Sequence, residues 1–96
     1  MTKVIWKYDV PSSPSKAELG GGRFDRQMPV GAKIVYFDKQ HDVPHIWVLL
    51  DPDTPERERR NFLIVGTGGK IPDSTLYIGS WQMSKGYLVF HLFECI

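Results

Sequence analysis

The sequence of 96 residues contains one cysteine, Cys95, close to its C-terminus. An internal disulfide and a cluster of thiolate metal ligands within one chain are therefore excluded. No run approaches the roughly 18 apolar residues of a membrane helix, and the first residues lack the apolar core of a secretion signal. The formal net charge of +1 gives no reason to expect a nucleic-acid partner. These features predict a protein of the reducing cytoplasm without a membrane partner.

The chain also lacks a complete catalytic or metal-binding motif. Ser80 has no Gly-x-Ser-x-Gly frame around it, and Cys95 has no basic neighbour that would activate its thiol. His41, His45 and His91 show neither HxH nor HExxH spacing. His91 alternates with apolar residues, which is typical of a packed or surface histidine on a strand. We therefore expect no enzyme activity, no metal and no cofactor.

What the chain has instead is the pattern of β-strands. Residues 76–83 and 87–93 are rich in aromatic and β-branched residues and are separated by a short polar turn with a glycine, which predicts a β-hairpin. Further strands are predicted at residues 3–8, 33–38, 45–51 and 62–65, the second and third of which form another hairpin. Residues 46–50 are apolar on both faces and predict a central strand that is covered on both sides.

No long 3.6-residue periodicity occurs, so the predicted fold class is mainly β. We expect a small antiparallel sheet, half-barrel or barrel of five to six strands with little helix. The chain, residues 1–96, should form a single domain. Proline, glycine and charged residues predict two irregular surface segments, residues 10–27 and 51–60, the first of them largely a mobile loop.

Tryptophans and arginines are the first candidates for binding. Trp47 lies within the two-sided apolar run and should belong to the core, whereas Trp6 and Trp81 are expected to be partly exposed. Exposed aromatic side chains are frequent anchors of protein interfaces. With the predicted loop around Arg23 and Phe24, they form the predicted partner-binding set: Trp6, Arg23, Phe24 and Trp81.

A second candidate site is the glycine-rich turn after the strand at residues 62–65. Such a turn can direct backbone N–H groups at an anion, but here the phosphate-loop spacing is incomplete, and a wide turn is the simpler interpretation. The alternative site for a nucleotide would combine two arginines with this turn: Arg59, Arg60, Gly66, Thr67, Gly68, Gly69 and Lys70.

Six motifs carry a resemblance that extends over nearly the whole chain in consistent order. They are Ile5-Trp6-Lys7-Tyr8, Met28-Pro29-x-Gly31-Ala32-Lys33-Ile34, Pro44-x-Ile46-Trp47-x-Leu49-x-Asp51-Pro52, Gly66-Thr67-Gly68, Tyr77-Ile78-Gly79-x-x-Gln82 and Gly86-x-Leu88-Val89-Phe90-His91-x-Phe93-Glu94. Together they resemble a small family of proteins from tailed bacteriophages and prophages that has no assigned activity. The chain departs from that pattern in a longer segment at residues 11–26, in His45 and at Gly69-Lys70.

The resemblance implies a phage origin and a site of action in the cytoplasm of the bacterial host. Two functions are then open. The first is a non-enzymatic binding protein that docks on a host protein, such as a defence component, and inhibits or modulates it. The second is an oligomeric binder of a nucleotide or a nucleotide-derived signal. A homodimer is a further expectation, with residues 87–93 as the predicted contact strand.

Overall fold

A computed structural model describes residues 2–96 and confirms a mainly β, antiparallel fold. The strands form two small sheets and no closed barrel. There are seven described strands, one more than the upper bound predicted. They are β1 (Val4–Asp9), β2 (Arg23–Pro29), β3 (Lys33–Gln40), β4 (Val43–Leu50), β5 (Arg57–Gly66), β6 (Thr75–Met83) and β7 (Leu88–Cys95), with short 3-10 turns at Pro14–Lys16 and Ser84–Gly86.

The three-stranded sheet has the order β1-β4-β3. The predicted hairpin of β3 and β4 is present, and its two-residue turn places His41 and Asp42 at φ angles of 52° and 65°. Positive φ at both central residues gives the turn the twist that a tight hairpin requires. β1 pairs with the other edge of β4, so that β4 is the central strand of this sheet.

The four-stranded sheet has the order β2-β5-β7-β6. The predicted C-terminal hairpin forms β6 and β7, and β7 also pairs with β5. β7 therefore has a neighbour on each side. Because β7 offers no free edge, residues 87–93 could contact a second copy only through a face of the sheet, and the expected homodimer stays a prediction. The edges of the sheet are β2 and β6.

One hydrophobic core lies between the two sheets. On β4, every second side chain packs toward the other sheet and is almost fully buried: Ile46, Val48 and Leu50. The four-stranded sheet contributes side chains from all of its strands: Phe24, Met28, Phe62, Ile64, Trp81, Phe90 and Leu92. The architecture is thus a small sandwich in which each sheet has one inner and one outer face.

β4 corrects the prediction of a strand that is covered on both sides. Only its inner residues are buried, whereas His45, Trp47 and Leu49 alternate with them on the outer face and are half-buried. Trp47 is therefore not a core residue. Its apolar neighbours in the sequence suggested two-sided burial, but in the described part of the chain no further layer covers the outer face of this sheet.

The segment between β1 and β2 is better ordered than predicted. Val10 and Ala17 are buried, and Trp81 Nε1 donates a hydrogen bond to the carbonyl of Ser12 at 3.1 Å. This crossover connects the two sheets and closes over the core. The irregular part ends at residue 22, where β2 begins, and the second irregular segment ends at residue 56, where β5 begins. Cross-strand pairing of β2 with β5, which is non-local, turned both predicted loops partly into strands.

Candidate functional site

The predicted partner-binding residues do not share a surface. Phe24 and Trp81 are 0% and 3% exposed, so the expectation that Trp81 is partly exposed is wrong, and Phe24 is a core residue too. Both side chains point inward because they pair with Phe62 and Phe90 on the inner face. Trp6 is half-exposed at the edge of the sandwich, with the Arg57 guanidinium 5.9 Å from its ring centre. Arg23 lies on the outer face of the four-stranded sheet, near the Cys95 thiol.

The residues of the alternative nucleotide site are also separated. Arg60 and Gly66 lie toward opposite ends of β5, six residues or about 20 Å apart at a rise of about 3.3 Å per residue. In the turn, the Thr67 N–H donates to the Val89 carbonyl and the Gly69 N–H donates to the Gly66 carbonyl. Two of its amide groups therefore serve the fold, as the interpretation as a wide turn expects.

Both arginines already have partners within the protein. Arg60 is bound to the Glu94 carboxylate and donates from Nη1 to the Ala32 carbonyl at 2.8 Å. The hydrogen bond to Glu94 is the main reason why the pKa of Arg60 lies above its ordinary value, against the opposing effect of burial. Arg59 is exposed and lies 3.5 Å from a carboxylate oxygen of Asp25. Lys70 is exposed and far along the strand from either arginine.

A chain of hydrogen bonds crosses the outer face of the four-stranded sheet. The Thr67 hydroxyl donates to the Val89 carbonyl at 3.3 Å, so it accepts from Nε2 of His91 at 2.9 Å. Nδ1 of His91 then accepts from the Ser80 hydroxyl at 2.7 Å, and Ser80 accepts from the Tyr77 hydroxyl at 2.7 Å. Both ring nitrogens of His91 and the three hydroxyl groups on this sheet face therefore have hydrogen-bond partners.

This hydrogen-bond network contains a Ser–His pair but lacks the other elements of a nucleophilic site. A nucleophilic serine needs preorganised donors for the oxyanion, and Ser80 lies within a strand whose β7 side is hydrogen-bonded. Its described neighbours lie on one flat sheet face and form no concave site around it. Within residues 2–96, no group of three histidine, cysteine or acidic side chains is placed to hold a metal ion.

A concave surface among the described residues is a cleft between β3 and β6, the facing edge strands of the two sheets. It has a volume of about 490 Å³. Each strand has a β-bulge here, between Ile34 and Tyr36 and between Tyr77 and Gly79. Its lining is formed by short stretches of both strands and one residue of β7: Ile34, Val35, Tyr36, Phe37, Leu76, Tyr77, Ile78, Gly79 and Glu94.

The side chains that line this cleft are mostly apolar or aromatic, and the free edges of β3 and β6 add polar backbone groups to its surface. Tyr36 and Tyr77 stand on its two rims and are 56% and 61% exposed, and Val35 and Leu76 are exposed beside them. Of the lining residues that the structure describes, Glu94 alone is charged, and Arg60 holds its carboxylate. The Tyr36 hydroxyl donates to the Asp38 carboxylate at 2.8 Å, and this hydrogen bond, with the nearby negative charge, raises the pKa of the Tyr36 phenol.

None of the four residues predicted to bind a partner lines this cleft. Tyr77 and Val35 belong to predicted strands. The β-bulges at the cleft have no local sequence signal other than Gly79. The exposed aromatic residues on the rims follow from which sheet edges face each other, and that pairing is a property of the whole fold.

Comparison with known proteins assigns the chain to a family. No curated protein and no solved structure shows a significant match to the chain. In the part of the chain that the structure covers, no helix has the length and apolarity needed to cross a membrane. A family described as a domain of unknown function, DUF7352, matches residues 1–96. Since the match extends over the whole sequence, the chain belongs to the DUF7352 family.

Proposed function

We propose that this protein is a non-enzymatic binding protein that docks on another protein through the cleft between β3 and β6. The observation that carries the proposal is the cleft itself, with exposed tyrosines on both rims and mostly apolar side chains in its lining. Apolar concave surfaces on small proteins commonly mark interaction sites. Tyrosine side chains offer contact area at a low entropic cost, and they are enriched among the residues that dominate binding energy.

The shape of the cleft indicates what kind of contact it would make. The bulges interrupt regular pairing where the strands line the cleft, which makes a continuous added strand a poor fit. A cleft of about 490 Å³ can instead receive apolar side chains that project from the surface of a partner. We therefore propose that aromatic or long aliphatic anchors of the partner enter between Tyr36 and Tyr77.

The partner in this proposal is a protein of a bacterial host. The support for this is the resemblance of the sequence motifs to small tailed-phage proteins, which would make the chain phage-encoded and would place it in the host cytoplasm. Occupation of a surface on a host protein, such as a defence component, would inhibit or modulate that protein. A family match without an assigned activity leaves this proposal to experiment.

Affinity capture with paired variants tests the proposed function. Tyr77→Ala removes one rim of the cleft, and Tyr87→Ala is the matched control, since Tyr87 is 88% exposed and lies outside the cleft. We expect a host protein that the wild type and Tyr87→Ala retain but Tyr77→Ala loses. The purified host protein should then bind the wild type at a ratio of one to one and should bind the Tyr77→Ala variant at least tenfold more weakly.

Three results would overturn the proposal. Retention of the same proteins by both variants would place the binding surface elsewhere. A bound nucleotide without a protein would favour the ligand-binding alternative, and loss of that nucleotide in Lys70→Ala would assign it to the glycine-rich turn. Covalent labelling of Ser80 by an activated ester, absent in His91→Gln, would show a nucleophile and contradict a non-enzymatic function.

A further inference from the structure

The outer face of the three-stranded sheet is another uncovered surface of the described chain. Strand register places these side chains on it in cross-strand rows: Ile5, Lys7, Asp9, Lys33, Tyr36, Asp38, Gln40, Val43, His45, Trp47 and Leu49. The ring centres of Tyr36 and Trp47 are 5.3 Å apart, and those of His45 and Trp47 are 5.9 Å apart. Aromatic side chains thus form the centre of the face.

Large apolar side chains are neighbours across the strands of this face, where Ile5 pairs with Leu49 and Tyr36 pairs with Trp47. Ile5, Tyr36 and Val43 are exposed, and Trp47 and Leu49 are half-buried only by their neighbours in the sheet. An antiparallel sheet that faces water on one side normally alternates apolar inner residues with polar outer ones. Apolar residues on the outside as well indicate that something covers this face.

Charged residues near the two ends of β3 indicate which partner covers this face. Lys33 lies in the row of Ile5 and Leu49, and it forms no ion pair among the described residues. Asp38 lies in the row of His45, at the other end. On this face, β3 is therefore basic at Lys33 and acidic at Asp38, with the Tyr36–Trp47 row between them, while Lys39 points to the other sheet.

We propose that this face binds the same face of a second copy of the chain. The two-fold axis would run between the facing three-stranded sheets of the two copies, parallel to the Tyr36–Trp47 row. Rotation about this axis reverses the strand direction. Each Lys33 would then lie opposite the partner subunit's Asp38, and this pair occurs twice in the dimer. Trp47 would pack against the partner subunit's Trp47 at the centre.

The remaining charged groups of the face form no further ion pair in this arrangement. Lys7 would approach its own symmetry mate, and although its ammonium group donates to the side-chain oxygen of Gln40, the like charges weaken the dimer. The Asp9 carboxylate, in the row of His45, is held by Arg26 at 3.4 Å. Lys33 and Asp38 are therefore the charged residues of this face that would form a new ion pair between the two copies.

The size of the face sets the expected strength of this dimer. Three strands about 4.8 Å apart, each with about eight residues at about 3.3 Å, give a footprint of roughly 14 by 26 Å. That footprint, roughly 360 Å² on each copy, is below the roughly 800 Å² per partner of a standard stable interface and predicts a weak, transient dimer.

Charge reversal tests this geometry by analytical ultracentrifugation of the full chain. Lys33→Glu should raise the dimer dissociation constant at least tenfold, because it places a second carboxylate opposite the partner subunit's Asp38. Asp38→Lys should do the same with two ammonium groups. When the two single variants are mixed, they should form a heterodimer of near wild-type affinity, since both of its pairs then join opposite charges.

The matched control is Lys70→Glu, which makes the same change in net charge at an exposed position outside this face. It should leave the dissociation constant within about twofold of the wild type. A monomer at all concentrations, or equal effects of Lys33→Glu and Lys70→Glu, would overturn the proposal. Failure of the two variants to associate with each other would also overturn it, because the facing of Lys33 and Asp38 is its central element.

Tyr36 belongs to both the cleft and this face, but the variants that test the two proposals do not share a residue. The cleft variant Tyr77→Ala lies on the other sheet and should leave the dimer intact. Loss of the dimer in Lys33→Glu with an unchanged host partner would support both proposals, whereas a monomeric wild type that still binds its partner would overturn only the dimer.

Discussion

Gly79 shows how one absent side chain allows the two sheets to approach each other. A Cβ atom at this position would collide with the ring of Phe37 from the facing sheet, although the backbone of Gly79 is not in the left-handed region. Phe37 in turn lies 5.6 Å from Trp81, ring centre to ring centre. Gly79 is thus required by packing and not by conformation, and it lies in the lining of the cleft.

We expect Gly79→Ala to lower the free energy of unfolding by about 1–3 kcal/mol, because the added methyl group must displace a packed ring. Urea denaturation followed by circular dichroism measures the change. The control is Gly66→Ala in the same sheet, where the nearest atoms to the added Cβ would be those of Phe90 at an ordinary 3.9 Å. Equal losses in the two variants would show that Phe37 is not the cause.

Arg59 and Arg60 are neighbours on β5, but their side chains lie on opposite faces of the sheet. Arg60 points to the inner face, where it binds Glu94 of β7 and the carbonyl of Ala32 between β2 and β3. Arg59 points outward, with 64% of its side chain exposed. The sequence presents them as equivalent members of one charged run, and only the alternation of the strand separates their roles.

Substitution of each arginine by methionine should therefore have very different effects. Arg60→Met leaves the mostly buried Glu94 carboxylate without its cation, and we expect a loss of roughly 2–4 kcal/mol in the free energy of unfolding. Arg59→Met removes only an exposed pair and should cost less than about 1 kcal/mol. Thermal and urea denaturation measure both.

A double variant, Arg60→Met with Glu94→Leu, provides the control for this mechanism. It removes the unpaired charge and should recover most of the lost stability, since apolar replacements of a buried ion pair are often neutral. If the double variant is no more stable than Arg60→Met, the loss arises from packing or from the Ala32 hydrogen bond and not from the carboxylate.

At the scale of the whole molecule, the two sheets share one core and depend on each other. β2, the first strand of the four-stranded sheet, follows the crossover that lies over the core, and the Trp81 hydrogen bond fixes that crossover. Neither sheet can bury its inner face alone. The sheets should therefore unfold together in one transition.

Tryptophan fluorescence and far-ultraviolet circular dichroism test this expectation during urea unfolding. Trp47 reports on the outer face of the three-stranded sheet, and a Trp6→Phe, Trp81→Phe background isolates its signal. We expect coincident transitions by both probes, within experimental error. An earlier fluorescence transition would show that the three-stranded sheet separates from the rest before global unfolding.

Local patterns were sufficient for most strands and for little of the candidate site. The C-terminal hairpin was predicted nearly to its ends, because its alternation and its glycine-containing turn are local signals. β2 was missed because Arg23 to Gln27 carry few β-branched residues, and the strand is stabilised by its pairing with β5. The burial of Trp81 and the exposure of Trp47 were both predicted wrongly, since a strand pattern shows two faces but not which one another sheet covers.

The sequence by itself determined the fold class, both hairpins and the absence of known catalytic motifs, because strand period and turn chemistry act over a few neighbouring residues. The tertiary structure alone decided which strands became edges, how the cleft formed between β3 and β6, and that Tyr36 and Tyr77 stand on its rims. It also placed Lys33 and Asp38 on one uncovered face. These features depend on contacts between residues distant in the chain, and free energies of packing between sheets have no local sequence signature.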